Sequence, residues 1–481
     1  MSPPCKRARR SLETTINSLP DEVMCMIFDR LPIRDVIRSS VTCRRWNGII
    51  FRSNYDFRIA LKVMASNWRV VTKSQRCYRH VVWKVRDQAI PSTWKTIYRK
   101  FMNNLTSLEI VFTDKVKKKS IASLVTLIAE AIPQMTKLRS LQLIDICEQD
   151  HQGITATLRS NSIRSLTFMC KFKVWVDMPQ LESFEGYLYA LNTPDECTHS
   201  HALDKLKELI VERDAEEPLP LSTAAIIHII RRLKNIEKMI WYNAIEERIF
   251  IAICELCSKL KEFTFKAPMS HCNVFNMSNL KKLTHLRSLG ICGLLSEQDS
   301  ALDCTSLTQI EHLHLGFIIG GDVKIPKSIK KLEVNINHYT EERMIKTIIS
   351  GAAHLKVLKV TFGGYRGNQV YYNEPVKLLK ALSHLRQLEV FQLEGGLFNA
   401  SSFLRMNVPL RRLHTLQFHR AKLVSTKSAR AIRKNKAVCT ECGGIGKMLP
   451  SNFNFAGLMR RFPRLNVPEF ACCTMLPRHM L

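Results

Sequence analysis

The sequence predicts an α/β chain: a short N-terminal module of three helices, followed by a curved solenoid. Each solenoid repeat would pair one strand with one helix, the strands forming a parallel sheet on the concave face. Three observations predict this. A pattern of the form apolar-x-x-apolar-x-apolar recurs thirteen times between residues 105 and 413. Helical periodicity precedes most of its copies. Ahead of it, residues 18–49 alternate apolar faces with helix punctuation at Pro20 and Pro32.

Composition bounds the rest. The chain has 481 residues, 46% of them hydrophobic, and a formal charge of +30. That apolar content excludes a wholly disordered chain. The most apolar segment, Ala224 to Ile230, is closed off by Arg231 and Arg232, so no stretch suits a membrane span. The N-terminus is basic but lacks the apolar core of a secretory signal. The 16 scattered cysteines therefore read as reduced thiols of an intracellular protein, placed in the cytoplasm and/or nucleus. Lys6-Arg-Ala-Arg-Arg10 is a cluster compatible with nuclear import.

In the N-terminal module, Pro20 with Asp21 and Glu22 opens a first helix. Val23, Ile27, Phe28 and Leu31 would share its apolar face, and Pro32 would end it. Asp35 to Ser39 and Val41 to Ile50 read as two further helices. About 40 residues bury too little surface to be stable alone, so such apolar density points to docking against a partner.

A first, capping strand is expected at Tyr78-Val81-Trp83. The repeat then runs through Leu105-Leu108-Ile110, Leu138-Leu141-Leu143, Ile163-Leu166-Phe168, a degenerate copy at Leu181 and Phe184, and Leu206-Leu209-Val211. It continues through Ile236-Met239-Trp241, Leu260-Phe263-Phe265, Leu286-Leu289-Ile291 and Ile310-Leu313-Leu315. The last copies are Ile329-Leu332-Val334, Leu355-Leu358-Val360, Leu388-Phe391-Leu393 and Leu413-Leu416-Phe418. The mean step of about 26 residues lies in the leucine-rich-repeat range. Helices are expected at Ser123 to Ile132, Ala224 to Leu233, Phe250 to Cys257, Glu341 to Ile349 and Val376 to Leu382. One such unit cannot bury its own apolar face, and stacking makes the core continuous.

Charge is uneven. Residues 51–104 hold 12 basic and 2 acidic side chains, residues 410–481 hold 14 and 2, and the long middle is nearly balanced. A polyanionic partner would thus engage the ends. Base-stacking aromatics are sparse in 410–440, which argues against nucleic acid. Cys439-Thr-Glu-Cys442 has half of a zinc-knuckle spacing, without a matching second pair; Cys254 and Cys257 lie on an expected helix, where burial is the simpler reading. No metal or other cofactor is expected, and no glycine-rich phosphate loop or Ser-His-Asp order stands out.

The segment 18–49 resembles an F-box. Its pattern is carried by Leu19, Pro20, Glu22, Ile27, Phe28, Leu31, Val41, Cys43, Arg44, Arg45 and Trp46, with Val23 and Val36 where leucine is usual. With the repeats behind it, the chain resembles F-box/leucine-rich-repeat substrate receptors. The implied organisation is a basic tail (1–15), an F-box (16–60), a linker and solenoid cap (61–104), leucine-rich repeats (105–425) and a basic C-terminal cap or tail (426–481). The resemblance implies a non-catalytic subunit that binds a Skp-type linker, and through it a cullin–RING ligase core. Leu19, Pro20, Ile27, Phe28, Leu31, Val36, Val41, Cys43 and Trp46 would form the linker interface or the packing beneath it. A protein substrate would meet the concave face, where mixed polarity argues against a phosphate trap. His312, His314, Lys331, Glu333 and Lys359, with Tyr365 and Tyr371 of a Gly- and Tyr-rich insertion, are the candidate contacts.

Overall fold

The computed structural model describes residues 15–52, 59–64, 67–74, 76, 78–86, 90–113, 116–146, 153–192, 203–212, 221–266, 277–293, 302–316, 323–336, 341–350, 354–362, 372–373, 378, 381–395, 397–399, 410–419, 422–424 and 469–471. The chain divides into two compact units, Met1–Leu181 and Glu182–Leu481.

The first unit opens with α1 (Asp21–Asp29), α2 (Ile33–Ser39) and α3 (Arg44–Arg52). Pro20 and Pro32 precede α1 and α2 in extended conformation, and their carbonyls accept the first helical N–H bonds, from Met24 at 3.1 Å and from Asp35 at 2.9 Å. Then come β1 (Ala60–Val63), α4 (Trp68–Lys73), β2 (His80–Val85), α5 (Ile90–Phe101), β3 (Ser107–Phe112) and α6 (Lys118–Ala131). The unit closes with β4 (Ser140–Asp145), β5 (Thr155–Arg159), β6 (Ser165–Met169) and β7 (Lys173–Asp177). Strands β1, β2, β3, β4 and β6 pair in parallel in that order, and β5 pairs with β7. Trp94 of α5 stacks on Trp83 of β2 with ring centroids 6.2 Å apart, seating the helix on the sheet.

The outermost strand of this sheet is β1, so the expected capping strand at Tyr78-Val81-Trp83 is the second one, and Tyr78 precedes it. The open edge of β1 is met by a side chain. Asn67 accepts from the Met64 N–H at 2.8 Å and donates to the Lys62 carbonyl at 2.7 Å. These are the two bonds that one residue of a further parallel strand would make.

The second unit begins with β8 (Ser183–Gly186), β9 (Glu208–Val211), α7 (Thr223–Arg231), β10 (Lys238–Ala244), α8 (Glu247–Leu256) and β11 (Glu262–Lys266). It continues with β12 (Ser288–Cys292), β13 (Leu302–Asp303), β14 (His312–Gly316), β15 (Val323–Lys324), β16 (Lys331–Ile336), α9 (Glu341–Ser350) and β17 (Val357–Phe362). Its last elements are β18 (Tyr372–Asn373), β19 (Val390–Glu394), β20 (Leu397–Asn399), β21 (Thr415–His419), β22 (Lys422–Val424) and β23 (Glu469–Ala471). One parallel sheet takes β8 to β12, then β14, β16, β17, β19, β21 and β23, while β13–β15 and β18–β20–β22 form two small sheets. The strand β23 lies within the segment expected to be a basic cap or tail.

All thirteen repeat copies are strands, and their described signature side chains form the core. Leu108, Leu209, Leu289 and Leu358, for example, are wholly buried. The expectation of a helix in every repeat fails. Helices return the chain at α6, α7, α8 and α9, a short 3-10 turn at Met277–Lys282, and extended pieces at β5, β7, β13, β15 and β20. The two shortest steps, Ile163 to Leu181 and Ile310 to Ile329, are both returned by strands. An extended residue covers about 3.3 Å against about 1.5 Å in a helix, so a short return has to be extended.

Adjacent repeats are locked by one recurring bond set. The carbonyl of the residue after the first signature apolar residue accepts two N–H groups of the next repeat. Lys207 O takes Glu237 and Lys238 (2.8 and 2.9 Å), Lys261 O takes Arg287 and Ser288 (2.8 and 3.0 Å), and Lys330 O takes Lys356 and Val357 (2.8 and 3.0 Å).

Gly395 follows β19 with φ +71°, donates to the His419 carbonyl at 2.8 Å, and a Cβ there would meet the Phe362 carbonyl oxygen at 2.8 Å. Gly395→Ala is expected to cost about 2 kcal/mol, and Leu289→Ala in the core about 2–5 kcal/mol. Gly48→Ala, in helix α3 with nothing within 4 Å of the new methyl, is expected to stabilise by about 0.5–1 kcal/mol. Urea unfolding of the three variants checks the two signs.

Candidate functional site

Two surfaces carry the residues singled out in the sequence. The first is the three-helix module. Its core is Met24, Phe28, Val36, Ile49, Ile50, Phe51 and Ile59, with Leu19, Cys25, Ile27, Leu31, Trp46 and Tyr78 packed against it. Trp46 meets Phe28 edge to face at 5.5 Å and donates from Nε1 to the Asn17 side-chain oxygen at 3.1 Å. Arg45 reaches back to the segment before α1. It donates to the Asp21 carboxylate at 2.6 and 3.1 Å and to the carbonyls of Asn17 and Leu19. Cys43 Sγ accepts the Trp46 N–H at 3.4 Å, standing in for a hydroxyl at the start of α3.

Of the expected apolar face of α1, Phe28 lies in the core and Ile27 and Leu31 pack against it, but Met24 takes the place expected for Val23. Met24 and Phe28 face the core, while Val23 is exposed. Val23–Ile27 and Met24–Phe28 have the same i, i+4 spacing, and the larger Met24 takes the interior. Among the candidate contacts, Phe28 and Val36 are interior, Leu19, Ile27, Leu31, Cys43 and Trp46 are half-buried, and Pro20 and Val41 are exposed. Apolar residues the sequence reading did not single out as contacts accompany those two. Met26 is 67% exposed and Val41 75%, and Val23, Ile33 and Ile37 are also open. Val23 with Met26, and Ile33 with Ile37, stand one turn apart, a spacing that was legible as a second apolar stripe.

The second surface is the open face of the sheet in unit Glu182–Leu481. Register places His312, Lys331 and Val357 in one cross-strand row, and His314, Glu333, Lys359 and Gln392 in the next. The five described candidates are therefore neighbours on β14, β16 and β17. Tyr365 and Tyr371 lie outside the described residues, as do Cys439 and Cys442. Lys331 pairs with Glu333 at 2.6 Å, Lys359 with Glu394 at 2.9 Å, and Lys238 with Glu208 at 2.6 Å. Each of these three lysines is thus matched by a carboxylate on the same face, so they do not form an unpaired cation cluster for a phosphate. Gly290 separates Thr264 from His314 in its row, and a Cβ there would crowd the Thr264 side chain. Ile210, Ile240 and Tyr242 add an apolar stretch to the face that the sequence reading passed over.

No chemical centre accompanies these surfaces among the described residues, where no group of three or more His, Cys, Asp or Glu side chains is placed to hold a metal. Cys254 and Cys257 are buried, as expected, and burial pushes both thiols up to about 12. No described helix is long and apolar enough to cross a membrane.

Burial holds the His314 imidazole below its usual range, opposed by Glu333 and aided by Lys359 and Lys331. Burial would raise Glu333, but the hydrogen bond and charge of Lys331 outweigh it and the net shift is downward. A histidine lowered on folding is neutral in the folded state and takes up its proton more readily when unfolded. Its contribution is complete above the ordinary value of 6.5 and is lost as pH falls below it toward the folded value. Stability should fall between pH 7 and pH 5, and His314→Gln should flatten that slope in denaturant midpoints measured across the window.

A family model described as F-box-like matches residues 16–59. No curated protein matches the chain. Among solved structures, the crystal structure of a TLR13–ssRNA13 complex shares 14% identity over 82% of this chain, with a TM-score of 0.36. This chain spans 60% of the length of that one. The chain thus carries an F-box-like domain at 16–59, followed by parallel strands in repeating units.

Proposed function

We propose that the chain is the substrate-recognition subunit of a Skp–cullin–F-box ubiquitin ligase. It binds the Skp-type linker through the F-box and a protein substrate through the open sheet face, and works inside the cell. The observation that carries this reading is the exposed apolar surface of the F-box-like module. Pro20, Val23, Met26, Ile33, Ile37 and Val41 lie outside a core that is already closed by Met24, Phe28 and Val36. Exposed apolar side chains on so small a module suit a partner that buries them. Phe28, Val36 and Trp46 fix the helices, and the exposed set supplies the contact.

The repeats would hold the substrate so that its lysines meet the ubiquitin-charged enzyme brought by the cullin. That is rate enhancement by proximity, and it asks no chemistry of this chain. The self-matched charge of the sheet face supports a substrate read by shape and polarity, with His312, His314, Lys331, Glu333 and Lys359 as its contacts.

The test is co-purification of linker and cullin with the intact chain. Met26→Glu with Val41→Glu is expected to abolish linker recovery while leaving the circular dichroism spectrum and melting temperature unchanged. Phe28→Ala is expected to lose about 3–5 kcal/mol of stability and linker binding with it. Undiminished recovery of linker with the double surface variant would defeat the assignment.

A further inference from the structure

Beside the edge strand of the first unit lies a cleft of about 590 Å³ that the F-box reading leaves unused. It is within the size range of about 300–1,000 Å³ typical of ligand pockets. Leu61 from β1 and Val70 from α4 form its apolar part with Tyr78, and Asn67, Lys73 and Arg76 are its polar members. Val70 is 71% exposed on α4.

The cleft is cationic. Lys73 is exposed at the last turn of α4. The Arg76 guanidinium lies 4.4 Å from the Phe51 ring centroid and donates to Ser40 Oγ at 3.4 Å, which fixes its position without neutralising it. Behind the helix, Lys100 donates to the carbonyls of Val71 and Thr72 at 2.7 and 2.8 Å. None of the described lining residues is acidic. The surrounding segment 51–104 holds 12 basic side chains against only Asp56 and Asp87.

We infer that this cleft binds an acidic, extended segment of a partner protein, its carboxylates on Lys73 and Arg76 and an apolar side chain on Leu61 and Val70. Charge complementarity sets the sign of the occupant, and the apolar floor sets its kind. Nucleic acid of the same charge needs open aromatic faces for its bases. Among the described lining residues the one aromatic ring, Tyr78, is packed edge-on between Phe51 at 5.4 Å and Phe101 at 6.2 Å. Asn67 commits its amide to Lys62 and Met64, so the occupant is read by side chains and not by strand addition. The inference does not depend on the F-box assignment.

The experiment is fluorescence polarisation with the full chain and three labelled probes: a twelve-residue peptide alternating Glu and Leu, one alternating Glu and Ser, and oligouridine of similar length. Saturable binding of the Glu-Leu peptide is expected, tighter than either other probe. Lys73→Glu should weaken it about tenfold, a loss within reach of one ion pair reversed. Val70→Ser, at an exposed site that leaves folding intact, should weaken the Glu-Leu peptide about threefold to tenfold and leave the Glu-Ser peptide unchanged. Tighter binding of oligouridine would overturn the inference in favour of nucleic acid. Failure of the Glu-Leu peptide to saturate, or its indifference to both substitutions, would overturn it outright.

Discussion

The bond on which the repeat architecture depends is the shared carbonyl at the second position of each unit. By taking two N–H groups from the following repeat, it fixes where the next strand begins. A slip of one residue in a strand turns its apolar side chains out and its polar ones in. With the register held at Lys207, Lys261 and Lys330, every signature leucine falls inside and every intervening residue falls on the open face. The same side chains carry a charge pattern. Lys207 pairs with Glu182 at 3.9 Å, Lys261 with Glu237 at 2.7 Å, Lys330 with Glu311 at 2.9 Å and Lys356 with Glu389 at 3.1 Å. These pairs are open to solvent and weak one by one, so their value lies in matching neighbours more than in strength.

The F-box-like module solves a different problem. Its helices are short and its core is small, so its geometry rests on a few cross-links. Arg45 and Trp46 draw the segment before α1 onto α3, and Ile59 and Tyr78 join its core to the chain that follows. That arrangement spends the large apolar side chains Met24, Phe28 and Trp46 on internal order. The residues left outside, Met26 and Val41 foremost, are mostly exposed and lie apart from that core.

Much of this was legible in the sequence. The thirteen strands follow from a spacing that only stacked repeats explain, and the helix starts at Pro20 and Pro32 follow from local rules. What was not legible depends on contacts distant along the chain. The assignment of Val23 to the core face missed by one residue, because both phases of α1 are apolar and only packing chooses Met24. The returns at β7 and β15 are strands because the loop is short, a signal that was present in the step lengths. The clamp of Arg45 on Asp21, 24 residues away, has no local signature. The carboxylate partners of Lys238, Lys331 and Lys359 become visible only once the register is known.

Asn67 has a consequence for how such a chain can grow. Its side-chain amide occupies the place of a neighbouring strand's backbone at Lys62 and Met64, so the array is terminated chemically as well as by position. A repeat stacked ahead of β1 would find the Lys62 carbonyl and the Met64 N–H already taken, so the exposed margin of the sheet is protected against pairing with a further strand.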